Sequence, residues 1–419
     1  MILIAVRACS TSIPRRRRAV LASGLLALIS CVPITVAQQI STDSQEVTPA
    51  VAEKGPAAEP EKKESFWSRL HDPQDGAFDM SRYLLEHKGA LVVPIIVTEP
   101  AVGNGFGLAP IFFRQPKQSD ASKARGERLP PNIFAAMAFK TANGSYAYGA
   151  GGMFHFKDDT WRYAGVVGKG SFNLDYYPQL PLLAPYKIGY NTNGLYSLQQ
   201  VSRRLGLSKW MASVRWVYVD VNSRLNIDGN KQYFQPKEFA SVSSGLGLKV
   251  EYDSRNNTLS PTAGTKSTFI GTFFSPTFGS DNTYQDYQAQ NLAYIPLNDA
   301  WMLGTRVSYE SVSGTVPFYR QPFVDLRGIT RGRFQDRNTA VLEAELDWNF
   351  NSRWTALAFG GAGRAWGRKV SFGDSDTAFT KGLGFRYLIA RALGLRVGLD
   401  WAWGPGEHAF YIQTGSAWR

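Results

Sequence analysis

The sequence predicts an all-β protein: a transmembrane barrel. Two observations carry that expectation and a third places it in an exported chain. From about residue 90 the chain alternates apolar and polar residues with period two, in segments of about 10–13 residues, the length of a tilted membrane-spanning strand. It is rich in glycine (40) and in aromatic residues (11 Trp, 19 Tyr, 25 Phe), a mixture of little use to a helical protein and suited to a wall with aromatic girdles. Third, the N-terminus reads as an export signal.

That signal occupies residues 1–37. Arg15 to Arg18 form a positive region, residues 19–30 a short apolar run, and TVA at 35–37 a small-residue cleavage site. LISC at 28–31 offers a competing lipoprotein box that would make Cys31 the lipidated first residue; simple cleavage after Ala37 is the preferred reading. Cys9 and Cys31 are the only cysteines, so cleavage after Ala37 leaves no thiol chemistry. Five arginines in this stretch contribute to the net charge of +12, leaving +7 for the remainder, which gives nucleic-acid binding weak support.

Residues 38–64 are polar and aperiodic and are expected to form a disordered periplasmic linker. Residues 65–89 are expected to form a short helical and turn segment, with about two helical turns after Asp79 as cap. The barrel is assigned 90–419. Its pattern is clearest at 393–403, where Leu395, Val397, Leu399, Trp401 and Trp403 oppose Arg396, Gly398, Asp400 and Ala402, and at 339–350, where Leu342, Leu346 and Trp348 oppose Glu343, Glu345 and Asp347. A soluble antiparallel sheet gives alternation too. Strand length, repetition over more than 300 residues without a covering helix, and Trp and Tyr at strand ends favour the membrane barrel.

Fifteen segments read as strands: 103–113, 132–141, 145–156, 161–175, 186–203, 207–220, 240–252, 264–275, 282–294, 299–311, 339–350, 353–366, 380–390, 393–403 and 407–418. A single-chain barrel with both ends on one side needs an even number, so sixteen is expected, the missing strand lying at 90–97 or hidden in 186–203 or 223–240. Five strands after it place the charged stretch 324-VDLRGITRGRFQDRN-338 on the extracellular side. Charge alone reads as a wet loop.

The C-terminal third resembles the bacterial surface antigen domain, the barrel of the BamA/TamA outer-membrane superfamily. That family's V/L-R-G-F/Y tetrad reads here as Leu326, Arg327, Gly328 and Ile329. Its F-x-D-x-G strand motif falls on Phe359, Gly361 and Gly363, with Gly361 where the family has aspartate. A later G-x-G-x-R-Y motif falls on Gly382, Gly384, Arg386 and Tyr387. The resemblance implies a 16-stranded antiparallel barrel whose loop before the last five strands folds into the lumen. It also implies that Arg327 meets a wall acid: Asp400 first, then Glu345, with Glu343 and Asp347 as further candidates. Arg331, Arg333 and Arg337 are expected to stay solvated. Phe410, Ile412 and Trp418, expected on one strand face, are similar to the C-terminal signal read by the barrel assembly machinery. POTRA domains of that family need more room than 38–89 provides, so a short form without them is expected.

No catalytic constellation emerges. The four histidines are scattered without metal-ligand spacing, no G-x-S-x-G elbow occurs, and Asp72, Asp75 and Asp79 lack calcium-loop spacing. The reading is of a non-enzyme without cofactor or metal. It would lie among outer-membrane lipid and lipopolysaccharide, with its N-terminal segment in the periplasm and no nucleic-acid partner. Two functions remain open: assisting insertion or transport of an unidentified protein or lipid client, or a passive or plugged pore.

Overall fold

A computed structural model of the protein describes residues 66–86, 90–98, 101–114, 119–120, 131–176, 188–226, 238–317 and 319–418. The expected signal peptide and the linker 38–64 lie outside these. Sixteen strands run in chain order around one antiparallel sheet. They are β1 (Ala90–Val97), β2 (Gly105–Arg114), β3 (Asn132–Thr141), β4 (Tyr146–Phe156), β5 (Trp161–Tyr176), β6 (Ile188–Arg204), β7 (Trp210–Asn226) and β8 (Glu238–Asp253). There follow β9 (Gly264–Phe274), β10 (Tyr284–Pro296), β11 (Trp301–Gly314), β12 (Asn338–Asn349), β13 (Trp354–Trp366), β14 (Thr377–Ala390), β15 (Leu395–Gly404) and β16 (Glu407–Thr414). The barrel is closed except between β1 and β16, which share no ladder.

The strand missing from the sequence count is β1. ALVVPIIV does not alternate, and Pro94 interrupts it. Proline lacks an N–H for a ladder and is tolerated at a sheet edge, which is where β1 lies.

Facing pairs fix the two surfaces. On β12, Glu343, Glu345 and Asp347 point inward and are buried, while Leu342, Leu346 and Trp348 point outward and are exposed. Outward aromatics gather near the rim that holds the chain ends, called here the terminal rim: Trp301 stacks on Trp348 at 5.8 Å, and Trp354 tilts against Tyr387 at 4.8 Å. The other end is the distal rim.

The polarity inverts toward the distal end of β7. Val214 and Trp216 face out near its middle, but further on Val219 and Val221 face in, while Asp220, Asn222 and Arg224 face out. There the inner side holds an apolar core of Phe172, Tyr190, Tyr196, Phe274 and Tyr284. Strands β5 to β8 therefore extend past the lipid belt as a wet-outside, dry-inside dome.

At the terminal rim, helix α1 (Ser81–Glu86) begins at Asp79, whose Oδ1 accepts from the Ser81 N–H at 2.7 Å. The segment before it is fastened beneath the barrel by Arg353, in the β12–β13 turn. Arg353 donates to Asp72 (2.6 Å), Asp75 (2.7 and 2.9 Å), Asp79 (2.5 Å) and the Leu388 carbonyl (3.1 Å). The three acids with calcium-like composition thus surround a guanidinium supplied by the chain itself. Asp75 is held well below the usual carboxylate range, first by the Arg353 hydrogen bond. For Asp79, burial pulls the other way, but hydrogen bonds from Arg353 and Ser81 prevail and its pKa is lowered.

Candidate functional site

Beyond β11, residues 319–337 cross the barrel interior and lead into β12. This strap is tied to opposite walls. Near its start the Tyr319 hydroxyl meets Ser241 Oγ (3.0 Å) and Ser243 Oγ (2.8 Å) on β8, and Arg320 pairs with Asp286 on β10 at 2.8 Å. Further on, Arg327 reaches β12 and β15. Beyond it, Thr330 donates its N–H (3.1 Å) and hydroxyl (2.6 Å) to Glu407 on β16, and Arg333 pairs with the same carboxylate at 2.6 Å.

Arg327 is buried among carboxylates. Nε donates to Glu343 Oε1 at 2.9 Å and Nη1 to Asp400 Oδ2 at 2.9 Å. Nη1 also stands 2.6 Å from Glu345 Oε2, which lies off the N–H direction and makes an ion pair without a hydrogen bond. The guanidinium sits over the Phe359 ring, its carbon 3.5 Å from the ring centre. Planarity and fork geometry let one arginine answer several acids along fixed directions while its face covers Phe359, a combination an ammonium lacks.

The acids have further partners. Asp400, fully buried, accepts from Arg386 at 2.5 and 3.0 Å. Glu343, also fully buried, accepts from Trp418 Nε1 at 2.7 Å and pairs with Arg306 at 3.1 Å. Arg306 in turn donates to the Asp325 carbonyl of the strap. Asp347 is buried, but its Oδ1 has no hydrogen-bond partner; it joins the wall without joining the Arg327 cluster.

The glycines of the two strand motifs make room for this arrangement. A Cβ at Gly361 would stand 2.6 Å from Leu326 Cδ2, one at Gly363 would strike Val324, one at Gly382 the Phe359 ring, and one at Gly384 Asp400 itself. At Gly361, where the family has aspartate, the Leu326 side chain occupies the space a Cβ would take. Leu326, Ile329 and Val324 pack with Val341 and Ala378 as a small apolar core beside the charges. Gly328 takes φ 90°, and its N–H donates to the Tyr411 hydroxyl at 3.0 Å.

Two expectations need correction. Trp418 does not share a face with Phe410 and Ile412, which point outward. Strand β16 ends at Thr414, the chain turns at Gly415 (φ 79°), and Trp418 tucks inside against Gly304. Arg331 and Arg333 are not simply solvated: they pair with Asp325 (3.4 Å) and Glu407. Sequence reasoning also missed Arg306, Glu407 and Arg353. Each is one polar side chain in an ordinary alternating or turn position, with no local signal naming its partner.

Next to the strap lies the seam. The Ile412 N–H reaches across it to Thr98 Oγ1 at 3.4 Å. Toward the distal rim its lips part into a groove of about 460 Å³ lined by residues that include Ile96, Thr98, His408 and Phe410.

The Omp85 superfamily domain matches residues 184–418, more than half of the chain. Among solved structures, the chain is similar to BamA from Haemophilus ducreyi lacking POTRA domains 1–3, with TM-score 0.54 and 14% identity over 78% of this chain and 70% of that one. It is also similar to CdiB from Acinetobacter baumannii (TM-score 0.51, 12% identity, 78% of this chain, 59% of that one) and CdiB from Escherichia coli (TM-score 0.54, 12% identity, 77% and 61%). It therefore spans less than two thirds of the CdiB chains, and at these identities the likeness concerns the fold. No curated protein sequence matches the chain.

Proposed function

Because this chain belongs to the Omp85 superfamily, we infer that it is an outer-membrane barrel that passes a protein or lipid client between its interior and the membrane through the β1–β16 seam. The unladdered seam carries this reading. Everywhere else neighbouring strands are joined by ladders, and an unpaired strand edge in lipid is costly unless something can pair with or cover it. In this reading the terminal rim and the segment 66–86 face the periplasm and the dome faces outward, with folding by the barrel assembly machinery.

A cysteine pair at Thr98 and Ile412 tests it. In cells lacking the native chain, the oxidised pair must fail to restore the outer-membrane defect and must recover on reduction. A locked barrel that restores fully would refute the seam's role. A second reading, a plugged barrel without translocation, is favoured by the strap tied to both walls. It requires that deleting 324–337 raise planar-bilayer conductance while the T98C/I412C lock leaves cells unaffected.

A further inference from the structure

The outer face of β3–β7 changes character at a definite height. Outward aromatics eight positions apart mark the edges of the lipid belt: Phe156 and Tyr148 on β4, Trp210 and Tyr218 on β7, Trp301 and Tyr309 on β11. Eight residues on a strand tilted by about 40° rise about 20 Å, close to the roughly 25 Å apolar band of such a barrel. At the distal edge the ladders set outward residues in rows. Lys140 lies between Phe106 and Tyr146, and Lys169 between Tyr148 and Leu195, all of them exposed. Neither lysine has an ion pair among the described residues. One row further out Asn193 faces Ser171 and Asn222, and beyond it Asn191 faces Asn173 and Arg224. Asparagine is depleted from strands, yet four stand here on the outside of three adjacent ones. Asn191 donates to Asn173 Oδ1 (2.8 Å) and Ser171 Oγ (3.0 Å), whereas Asn193 and Asn222 have no side-chain hydrogen bond among the described residues. Asp220, across Leu195 from Lys169, confines the positive part to β3–β5. A wet surface is served by any polar residue. This one is graded by height: cations among aromatics at the belt edge, then short amides that offer donor and acceptor together.

We propose that this face binds the phosphorylated disaccharide headgroup of lipopolysaccharide, with Lys140 and Lys169 on its phosphates and Asn193 and Asn222 on sugar hydroxyls. The proposal rests on the orientation given above, with the dome outward, and is independent of passage through the seam. Charge and height select the occupant. The outer leaflet presents phosphate and sugar where the lysines and amides stand, and its acyl chains would lie below on exposed Val167, Val201 and Val214. Two strand spacings across and one row along separate the lysine Cα atoms by about 12 Å, so each ammonium can take its own phosphate. Phosphatidylglycerol and phosphatidylethanolamine bring one phosphate and no sugar ring.

The test uses the full chain folded in detergent micelles and native mass spectrometry, with bisphosphorylated lipid A as probe and phosphatidylglycerol as comparison. Lipid A is expected to bind at least about tenfold more tightly than phosphatidylglycerol. Lys140→Gln combined with Lys169→Gln should weaken lipid A binding about thirtyfold, the effect of losing two lysine–anion contacts at a membrane surface. Asn193→Ala combined with Asn222→Ala should weaken it about tenfold. Lys381→Gln, near the same edge but on β14 beside Trp403, should leave it unchanged. Heat-modified gel mobility verifies that each variant is folded. Equal binding of the two lipids, or equal losses from Lys381→Gln and from the lysine pair, would overturn the proposal in favour of generic attraction. Undiminished binding by the lysine-pair variant would overturn it as well. Orientation is read separately, by labelling Asp220→Cys in intact cells with a membrane-impermeant maleimide. An unlabelled cysteine would overturn the orientation and the proposal together, whereas a labelled one with equal binding of the two lipids would remove the proposal alone.

Discussion

Replacing Arg327 by alanine should release the strap without unfolding the barrel. The consequence differs for each acid. Asp400 keeps both bonds from Arg386, and Glu343 keeps Arg306 and Trp418. Glu345 has no such second cation among the ion pairs described and becomes the stranded charge. Removing one partner of a buried pair costs about 3–5 kcal/mol, and loss of the guanidinium from the Phe359 face adds about 0.5–2 kcal/mol. The lost pair is the larger of the two, so about 3–5 kcal/mol is the working figure, or roughly a hundred- to several-thousand-fold in the opening equilibrium of the strap. Hydrogen exchange reads it directly. The amides of Val324, Gly328 and Thr330 donate to Phe334, Tyr411 and Glu407 and should lose protection by that factor, while strand amides of β9–β11 keep theirs. Arg327→Lys keeps the charge but not the fork and should fall between. A folded R327A barrel whose strap amides exchange within about twofold of the native rate would refute the reasoning.

Gly361→Asp restores the family residue but places Cβ 2.6 Å from Leu326; it should loosen the same amides by about 1–3 kcal/mol, with relief on adding Leu326→Ala. Trp418→Phe keeps an aromatic ring but strips Glu343 of one donor, and should lower the heat-modification temperature by the equivalent of about 1–3 kcal/mol. At the terminal rim, Arg353→Ala should free the segment 66–86, seen as mobility of a spin label on Trp67→Cys. For the native latch the sign follows from carboxyl pKa values held below their ordinary 3.8: its contribution is full above that value and is lost as the pH falls through the depressed ones. The label should therefore stay immobile from neutral pH down to about 4 and loosen only in stronger acid; release between neutrality and about pH 5 would contradict the assignment.

What the sequence made legible follows from what alternation can encode. Strands such as β12 and β15 set a lipid face against a polar one, so their existence and the inward position of Asp400, Glu343 and Glu345 were readable. Strand β1 was harder because both its faces meet apolar surroundings, which removes the period. The distal part of β7, beyond residue 220, was lost for the opposite reason. At Val219 to Arg224 the period persists but its sign flips, and an apolar-in, polar-out stretch reads as the end of a spanning strand. Trp418 was misplaced because period two was carried past Gly415, where the backbone turns. The partners of Arg353 lie some 280 positions away, and no local pattern reports a contact of that range.

The strap and the seam are mechanically linked, and the link is one-sided. Strand β16 is held from within, because Tyr411 accepts from Gly328 and Glu407 accepts from Thr330 and Arg333. Strand β1 has its ladder to β2 and apolar side-chain packing, with Pro94 unable to donate across the edge. The two lips therefore differ in stiffness. In the seam reading proposed above, while the strap is docked, opening would be a movement of β1 away from a fixed β16, and the lip that moves is the one whose inner face is apolar. A strap released from Glu407 would loosen the other lip, so in the seam reading proposed above the Arg327 cluster, by holding the strap, would set which lip moves.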